Sequence, residues 1–380
     1  MIKLLKVIFT TILFYIFKLL PLKKNQMVFF SLDGGFSDNP RYIYEELVKS
    51  EKTYDLYWIM STERIKTLNY KNVKSLKWHS IRSVYILARS KVVVSNYRKI
   101  FLYKLKRNQK YVQTWHGTAL KKIEEDVEHL LSKQYILNAK IDSKDCDLMI
   151  SGNEYSTKIL KNKFWYQGIV LNSGTPRNDL LFSNNIKLKN EIKKSLSISK
   201  NEKIIMYAPT FRGDNLVDLP KLDVDSLFSK LNENDEYVLI LRFHPNISKK
   251  IDIKKLFHSQ FGKIIDGSLH DDMTELLFIT DILITDYSST MFDFALTNKS
   301  CLLFTYDEEK YLNNDRGVYM SLDDLPFDRY KTFDDLITGI QSFDYEKYKE
   351  KLDAFYKKIG NCEKGDAAKK VALYIEENYM

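Results

Sequence analysis

His116 and His244 each follow an apolar, β-rich run, "YVQTWHG" (111–117) and "YVLILRFHP" (237–245). Imidazole titrates near neutral pH, so either could take a proton from a hydroxyl or donate to a phosphate oxygen. The plainer alternative for each is a histidine packed at a turn, beside Gly117 in the first case and stiffened by Pro245 in the second. Other run ends carry comparable groups. "IVLNSGTPRND" offers Gly174, Arg177 and Asp179, and "KIIMYAPTFRGD" offers Thr210, Arg212 and Asp214. "DILITDYSSTMFDFA" offers Asp286, Ser288, Ser289, Thr290 and Asp293. This last stretch passes from a strand pattern into a helical one, so its hydroxyls would stand beside the unsatisfied N–H groups of a helix start. The dipole there carries about half a positive charge and favours phosphate. Simple N-capping by Asp286 or Ser288 uses the same residues. Each site alone is weak; their recurrence at successive run ends points to an anionic ligand.

Those ends belong to a regular alternation. Strands are expected at 27–31, 55–60, 91–95, 111–115, 147–151 and 168–171, then at 203–208, 237–243, 263–266, 281–285 and 301–304. Most are continuous apolar runs, as in strands covered on both faces, and helical spacers between them imply parallel sheets. Open α/β sheets bind ligands beyond the carboxyl ends of their strands, where the polar groups above fall. The polar, lysine-rich stretch 183–203 divides the strands into two sets. The expected domains are a segment 1–24, a first half 25–190, and a second half 191–380 that includes the terminal helices. Two such halves usually bind their ligand in a cleft between them.

The 380 residues suit two domains, and three scattered cysteines suggest neither a disulfide framework nor a zinc site. The net charge of +9 is concentrated. Residues 1–24 hold five lysines and no acid, and residues 91–110 hold seven basic residues and no acid. Both stretches interleave these charges with Ile, Leu, Phe and Tyr, which favours an anionic membrane surface over nucleic acid. A solvated loop is the bland reading of 98–110. The N-terminal apolar run is uninterrupted only over Val7–Phe17, short of the roughly 20 residues of a full span. A retained interfacial helix is expected, with a short transmembrane anchor as runner-up. There is no P-loop, G-x-G-x-x-G, G-x-S-x-G or H-E-x-x-H. "DCD" (145–147) and "DVD" (223–225) read as surface acids, so no metal or other cofactor is expected.

"QTWHGTALKKI", "SGTPRNDLL", "MYAPTFRGD", "LRFHP" and "ITDYSSTMFDFALTNKSCLLFTYD", in this order, closely resemble the CDP-glycerol glycerophosphotransferase family of teichoic-acid synthesis. The resemblance covers about residues 27–340. It implies a GT-B fold of two Rossmann-like halves facing a cleft, 25–190 on the acceptor side and 191–380 on the nucleotide-donor side, peripheral on the cytoplasmic face of the cell membrane. It also implies CDP-glycerol as donor and a polyprenyl-diphosphate-linked saccharide as acceptor, with no nucleic-acid partner. Carried over by motif, His116 matches the catalytic base. His244 and Ser288–Thr290 match the positions that hold the donor pyrophosphate, His244 being a second catalytic candidate. Asp293 falls at the acidic position after the serines, and Thr210 and Arg212 border the donor. Gly117 and Arg177 fall on the acceptor side. Ala119 departs from the proline common in relatives. The chain's length resembles the short priming members more than the long polymerases. A ribitol or capsular alditol phosphate transferase, a nucleotide-sugar glycosyltransferase and a non-catalytic membrane-bound binding protein are the alternatives.

Overall fold

The computed structural model describes residues 2–32, 34–68, 70, 72–99, 104–210, 212, 222–231, 236–243, 257–314 and 317–380. The chain divides into two units. The first contains Met1–Gly117, Ile123–Asp179 and Gly360–Met380; the second contains Thr118–Lys122 and Leu180–Ile359.

The first unit is built on a parallel sheet of β1 (Lys23–Phe30), β2 (Asp55–Met60), β3 (Lys74–Lys77), β4 (Ser90–Ser95), β5 (Lys110–Gln113), β6 (Leu148–Ile150) and β7 (Ile169–Leu171). Its order is β3-β2-β1-β4-β5-β6-β7. The second unit contains β8 (Lys203–Tyr207), β9 (Tyr237–Leu241), β10 (Lys263–Asp266), β11 (Ile282–Thr285), β12 (Ser300–Phe304) and β13 (Asp328–Tyr330), in the order β10-β9-β8-β11-β12-β13. Both sheets are parallel and reverse direction of winding beside their first strand, which makes each a Rossmann-like unit. The apolar runs explain why. Met27–Phe30 and Ile204–Tyr207 are all buried, as central strands covered by helices must be. β3 ("KSLK") and β13 ("DRY") are short, mostly polar edge strands, whereas the equally exposed edges β7 ("IVL") and β10 ("KIID") keep apolar residues. Their polarity hid them from periodicity.

Two boundaries differ from the sequence expectation. The chain leaves the first unit between Asp179 and Leu180, not at 190. The terminal helix Ala367–Asn378 belongs to the first unit, not the second. Its Val371, Ala372 and Ile375 are buried in one cluster with Met27, Phe29, Trp58 and Val92.

At the N-terminus, Ile2–Phe17 forms a helix of 16 residues, about 24 Å long. No described helix is long and apolar enough to cross a membrane. One side of this helix packs on helix Ile81–Arg89, with Phe14 fully buried and Phe17 edge-on to Tyr85 at 5.3 Å. Ile8, Phe9, Ile12, Ile16 and Leu19 are exposed, Leu19 by 87%. The second basic stretch is less open than its sequence suggests. Arg98 is buried between Glu124 (2.9 Å) and Asp142 (3.0 Å), and Lys99 is buried against Asp145 (2.6 Å). Lys110 pairs with Asp147 at 2.7 Å, which leaves Lys104 and Arg107 as its exposed cations. Burial of Arg98 demanded these partners, because an unpaired interior charge costs several kcal/mol.

Candidate active site

In the first unit β5 ends at Gln113, whose side-chain Oε1 accepts from Trp115 N at 2.9 Å. Trp115 takes a left-handed φ of +51°, which turns the chain sharply, and its ring stacks on His116 at 4.1 Å. The half-buried imidazole is held by its Nδ1, 3.0 Å from Asn96 O. A carbonyl can only accept, so Nδ1 carries the proton and Nε2 presents a lone pair. Burial lowers the His116 pKa below its ordinary 6.5, against the opposing effects of the Asn96 hydrogen bond and the Asp38 charge. A neutral imidazole with a free Nε2 lone pair is the form a general base requires. Gly117 adopts φ +119°, a conformation suited to glycine.

The backbone around this histidine is fixed by residues far away in sequence. Arg177 Nη2 donates to His116 O at 2.8 Å, and Nη1 pairs with Asp38 Oδ1 at 2.8 Å. Asp38 Oδ2 accepts from Asn96 Nδ2 at 2.7 Å, and Asn96 Oδ1 accepts from Leu32 N at 2.9 Å. Asn39 Nδ2 donates to Trp115 O (3.0 Å) while its Oδ1 accepts from Arg177 N (3.1 Å). Burial pushes the Asp38 carboxyl upward, but Arg177 and the Asn39 N–H outweigh it and hold the pKa below the usual range. Arg177 is therefore a positioning residue. Asp38, Asn39 and Asn96 escaped the sequence reading. The strand-end criterion, applied to "KVVVS" as to the other runs, would have selected Asn96.

In the second unit the ends of β8 and β11 meet. Asp286 accepts from Thr210 N through both oxygens, at 2.9 and 3.1 Å. Arg212 lies over this joint. Its Nη1 pairs with Asp286 at 2.8 Å, and Nε and Nη2 grip Asp307 at 2.6 and 3.0 Å. A further donation from Nη1 reaches Thr210 O (2.7 Å), and the guanidinium lies over the Tyr287, Tyr306 and Tyr311 rings. Most of the donors of Arg212 are thus occupied by the protein, which makes it a brace for the Thr210 segment before it is anything else. Thr210 Oγ1 itself is buried without a hydrogen-bond partner.

Helix Thr290–Ala295 follows β11 with Ser289 at its N-cap; the Ser289 side chain makes no capping bond, while Ser288 Oγ accepts from Thr290 N at 3.4 Å. Ser288 Oγ donates to Thr290 Oγ1 at 3.0 Å, and Asp293 is buried. The three hydroxyl residues are half-buried together at the strand's carboxyl end. At six residues the helix has a weak dipole, so the hydroxyls and N–H groups must supply most of any anion binding. His244 lies outside the described residues. Arg242, before it, donates to His270 O at 2.7 Å. Of the acid pairs, Asp145 and Asp147 are both engaged by lysines; among the described residues no group of three or more His, Cys, Asp or Glu is arranged to hold a metal ion.

The family description CDP-Glycerol:Poly(glycerophosphate) glycerophosphotransferase matches residues 12–377. A teichoic acid poly(glycerol phosphate) polymerase of Bacillus spizizenii is 36% identical over 95% of this chain and 94% of its own length. A teichoic acid glycerol-phosphate primase of Bacillus subtilis is 33% identical over 85% of this chain and 86% of its own. Similarity to a polymerase of matching length removes length as a sign of priming. Against two other polymerases the chain spans about half their length. Among solved structures, a point variant of the wall teichoic acid polymerase TagF superposes with a TM-score of 0.86 at 32% identity, covering 97% of this chain and 94% of that one. A TagF variant with CDPG matches with the same score.

Proposed function

We propose a specific role for this chain, which belongs to the CDP-glycerol glycerophosphotransferase family: it moves glycerol phosphate from CDP-glycerol to a hydroxyl acceptor in teichoic-acid synthesis. The acceptor oxygen attacks the β-phosphorus, the bond from that phosphorus to the bridging oxygen breaks, and CMP leaves. His116 Nε2 receives the hydroxyl proton. The observation that carries this assignment is the Nδ1–Asn96 hydrogen bond, which fixes the tautomer with its lone pair on Nε2. Thr210, Ser288, Ser289 and Thr290 supply hydroxyl and N–H donors to the donor phosphates, with His244 as a further donor. Such donors, fixed before the reaction, stabilise charge as it develops on the transferring and leaving groups.

The acceptor in this reading is a polyprenyl-diphosphate-linked saccharide or growing polymer, met at the cytoplasmic membrane surface. Support comes from the exposed apolar side of helix Ile2–Phe17 with Lys18 and Lys104 beside it, joined by a 2.8 Å hydrogen bond from Lys18 Nζ to Lys104 O. A helix lying in the interface buries such a side among the lipid headgroups while its lysines meet anionic lipid. The test is direct. Purified protein is incubated with CDP-glycerol or CDP-ribitol and a lipid-disaccharide acceptor, and the products are weighed by mass spectrometry. A mass increase of one or more glycerol phosphates with CMP release is expected. Donor binding without CMP release would overturn the reading.

A further inference from the structure

We propose that Glu363 is a positioning residue for the transfer reaction, fastening the loop that carries Arg177 so that Arg177 can hold His116. The inference rests on the reading of His116 as the base. After helix Tyr345–Ile359 the chain returns to the first unit at Gly360. There Glu154 N donates to Gly360 O and Cys362 N to Gly152 O, both at 3.0 Å, while Asn361 bridges Asn153. The returning segment thereby joins the loop that follows β6. The loop after β7 is tied to the same place, since Gly174 N donates to Ser151 O at 3.1 Å.

Glu363 spans both loops. Its two carboxylate oxygens receive Thr175 N at 3.0 and 2.9 Å, and Oε1 also receives Asn178 Nδ2 at 3.3 Å. Two glycines leave the space it fills. A Cβ on Gly152 would collide with Oε1, and one on Gly174, at φ +92°, would stand 3.0 Å from Oε2. Asp179 fastens the far end of the loop, accepting from Ala367 N at 2.9 Å and Ala368 N at 2.7 Å. Arg177 lies between these two clamps and delivers its guanidinium to Asp38 and to His116 O. Both holds on the histidine pass through these partners: the carbonyl is held by Arg177, and the Asn96 that binds Nδ1 is held by Asp38. Glu363 thus acts on the imidazole only through Arg177, and a small loop displacement is enough to misplace a reacting group.

The experiment uses full-length protein with ¹⁵N-labelled histidines. His116 is identified by the resonances missing from His116→Ala. In Glu363→Ala the His116 nitrogen shifts are expected to move away from the fixed Nδ1–H form, and its pKa to change. kcat should fall roughly tenfold while the KM for CDP-glycerol stays within about twofold, as expected of a mispositioned base. Glu363→Gln keeps one acceptor for Thr175 N, so it should show the same changes at smaller size, and it decides the matter if the alanine variant does not fold. Unchanged His116 resonances in a folded variant, whatever its melting temperature, would overturn the proposal. Shifted resonances with an unchanged rate would support the clamp and remove His116 as the base, so the two failures are distinguishable.

Discussion

Asn96, just past β4, accepts a hydrogen bond from Leu32 N, just past β1; Asp286, just past β11, accepts one from Thr210 N, just past β8. Both are 2.9 Å, and both close the place where a parallel sheet reverses its winding. The joint is the same and its charge is not. In the first unit a neutral amide stands there and its backbone carbonyl orients an imidazole, which can remain unprotonated. In the second a carboxylate stands there and, with Asp307, demands the cation Arg212. One geometry therefore orients an imidazole in one unit and builds a charged brace in the other. The residue after the central strand selects which.

Removing the proposed base is the largest break. His116→Ala is expected to lower kcat by ~10²–10⁴-fold with CDP-glycerol binding retained, read by CMP release beside calorimetric titration. If the variant melts early yet turns over normally, His116 is a packing residue. Next, Asp286→Ala strands the largely buried Arg212 with a single carboxylate partner and orphans Thr210 N. A stability loss of about 3–5 kcal/mol is expected in chemical denaturation, the range for breaking a buried ion pair. A loss below about 1 kcal/mol would mean that the second joint is not structural.

Removing a donor hydroxyl is a smaller change. Ser289→Ala should weaken CDP-glycerol binding roughly tenfold, the scale of one hydrogen bond to a charged group. Unaltered affinity would misplace the phosphate donors.

Removing a charge near the first joint sharpens the comparison through pH. Because burial lowers the His116 pKa below 6.5, the acid limb of kcat/KM should lie below pH 6.5. In stability terms, a depressed pKa means that the unfolded chain binds the proton more readily. The contribution is complete above pH 6.5 and is lost as pH falls through the folded value. Asp38→Asn removes a carboxylate whose charge raises the His116 pKa and should move the limb further down. An unmoved limb would assign it to another group. The smallest expected effect is on membrane binding. Phe9→Ser with Ile12→Ser should reduce liposome flotation several-fold without altering donor affinity. Full retention on anionic vesicles would remove this helix as the contact.

Much of this was legible locally. The central strands were found because burial on both faces writes itself as a continuous apolar run; β3 and β13 were missed because their few residues are mostly polar, while the equally exposed edges β7 and β10 still carry Ile and Val. His116, Thr210 and the Ser288–Thr290 cluster stood out as reactive or hydroxyl groups at the ends of such runs. His244 did too, although it lies outside the described residues. The two basic stretches were legible as composition, but not as surface. Arg98 and Lys99 are neutralised by Asp142, Asp145 and Glu124, acids that lie outside the acid-free window.

The sequence by itself determined the alternation of strands and helices, the family motifs and the residue types at the strand ends, since each depends on near neighbours in the chain. Tertiary structure decided which of those residues work together. The holds on His116 come from Asn96, Asp38 and Arg177, between 20 and 78 positions away, and the clamp on Arg177 comes from Glu363 in a terminal segment that composition placed with the other unit. Hydrogen bonds between such distant positions leave no period in a sequence. They exist only once parallel strands bring their carboxyl ends side by side.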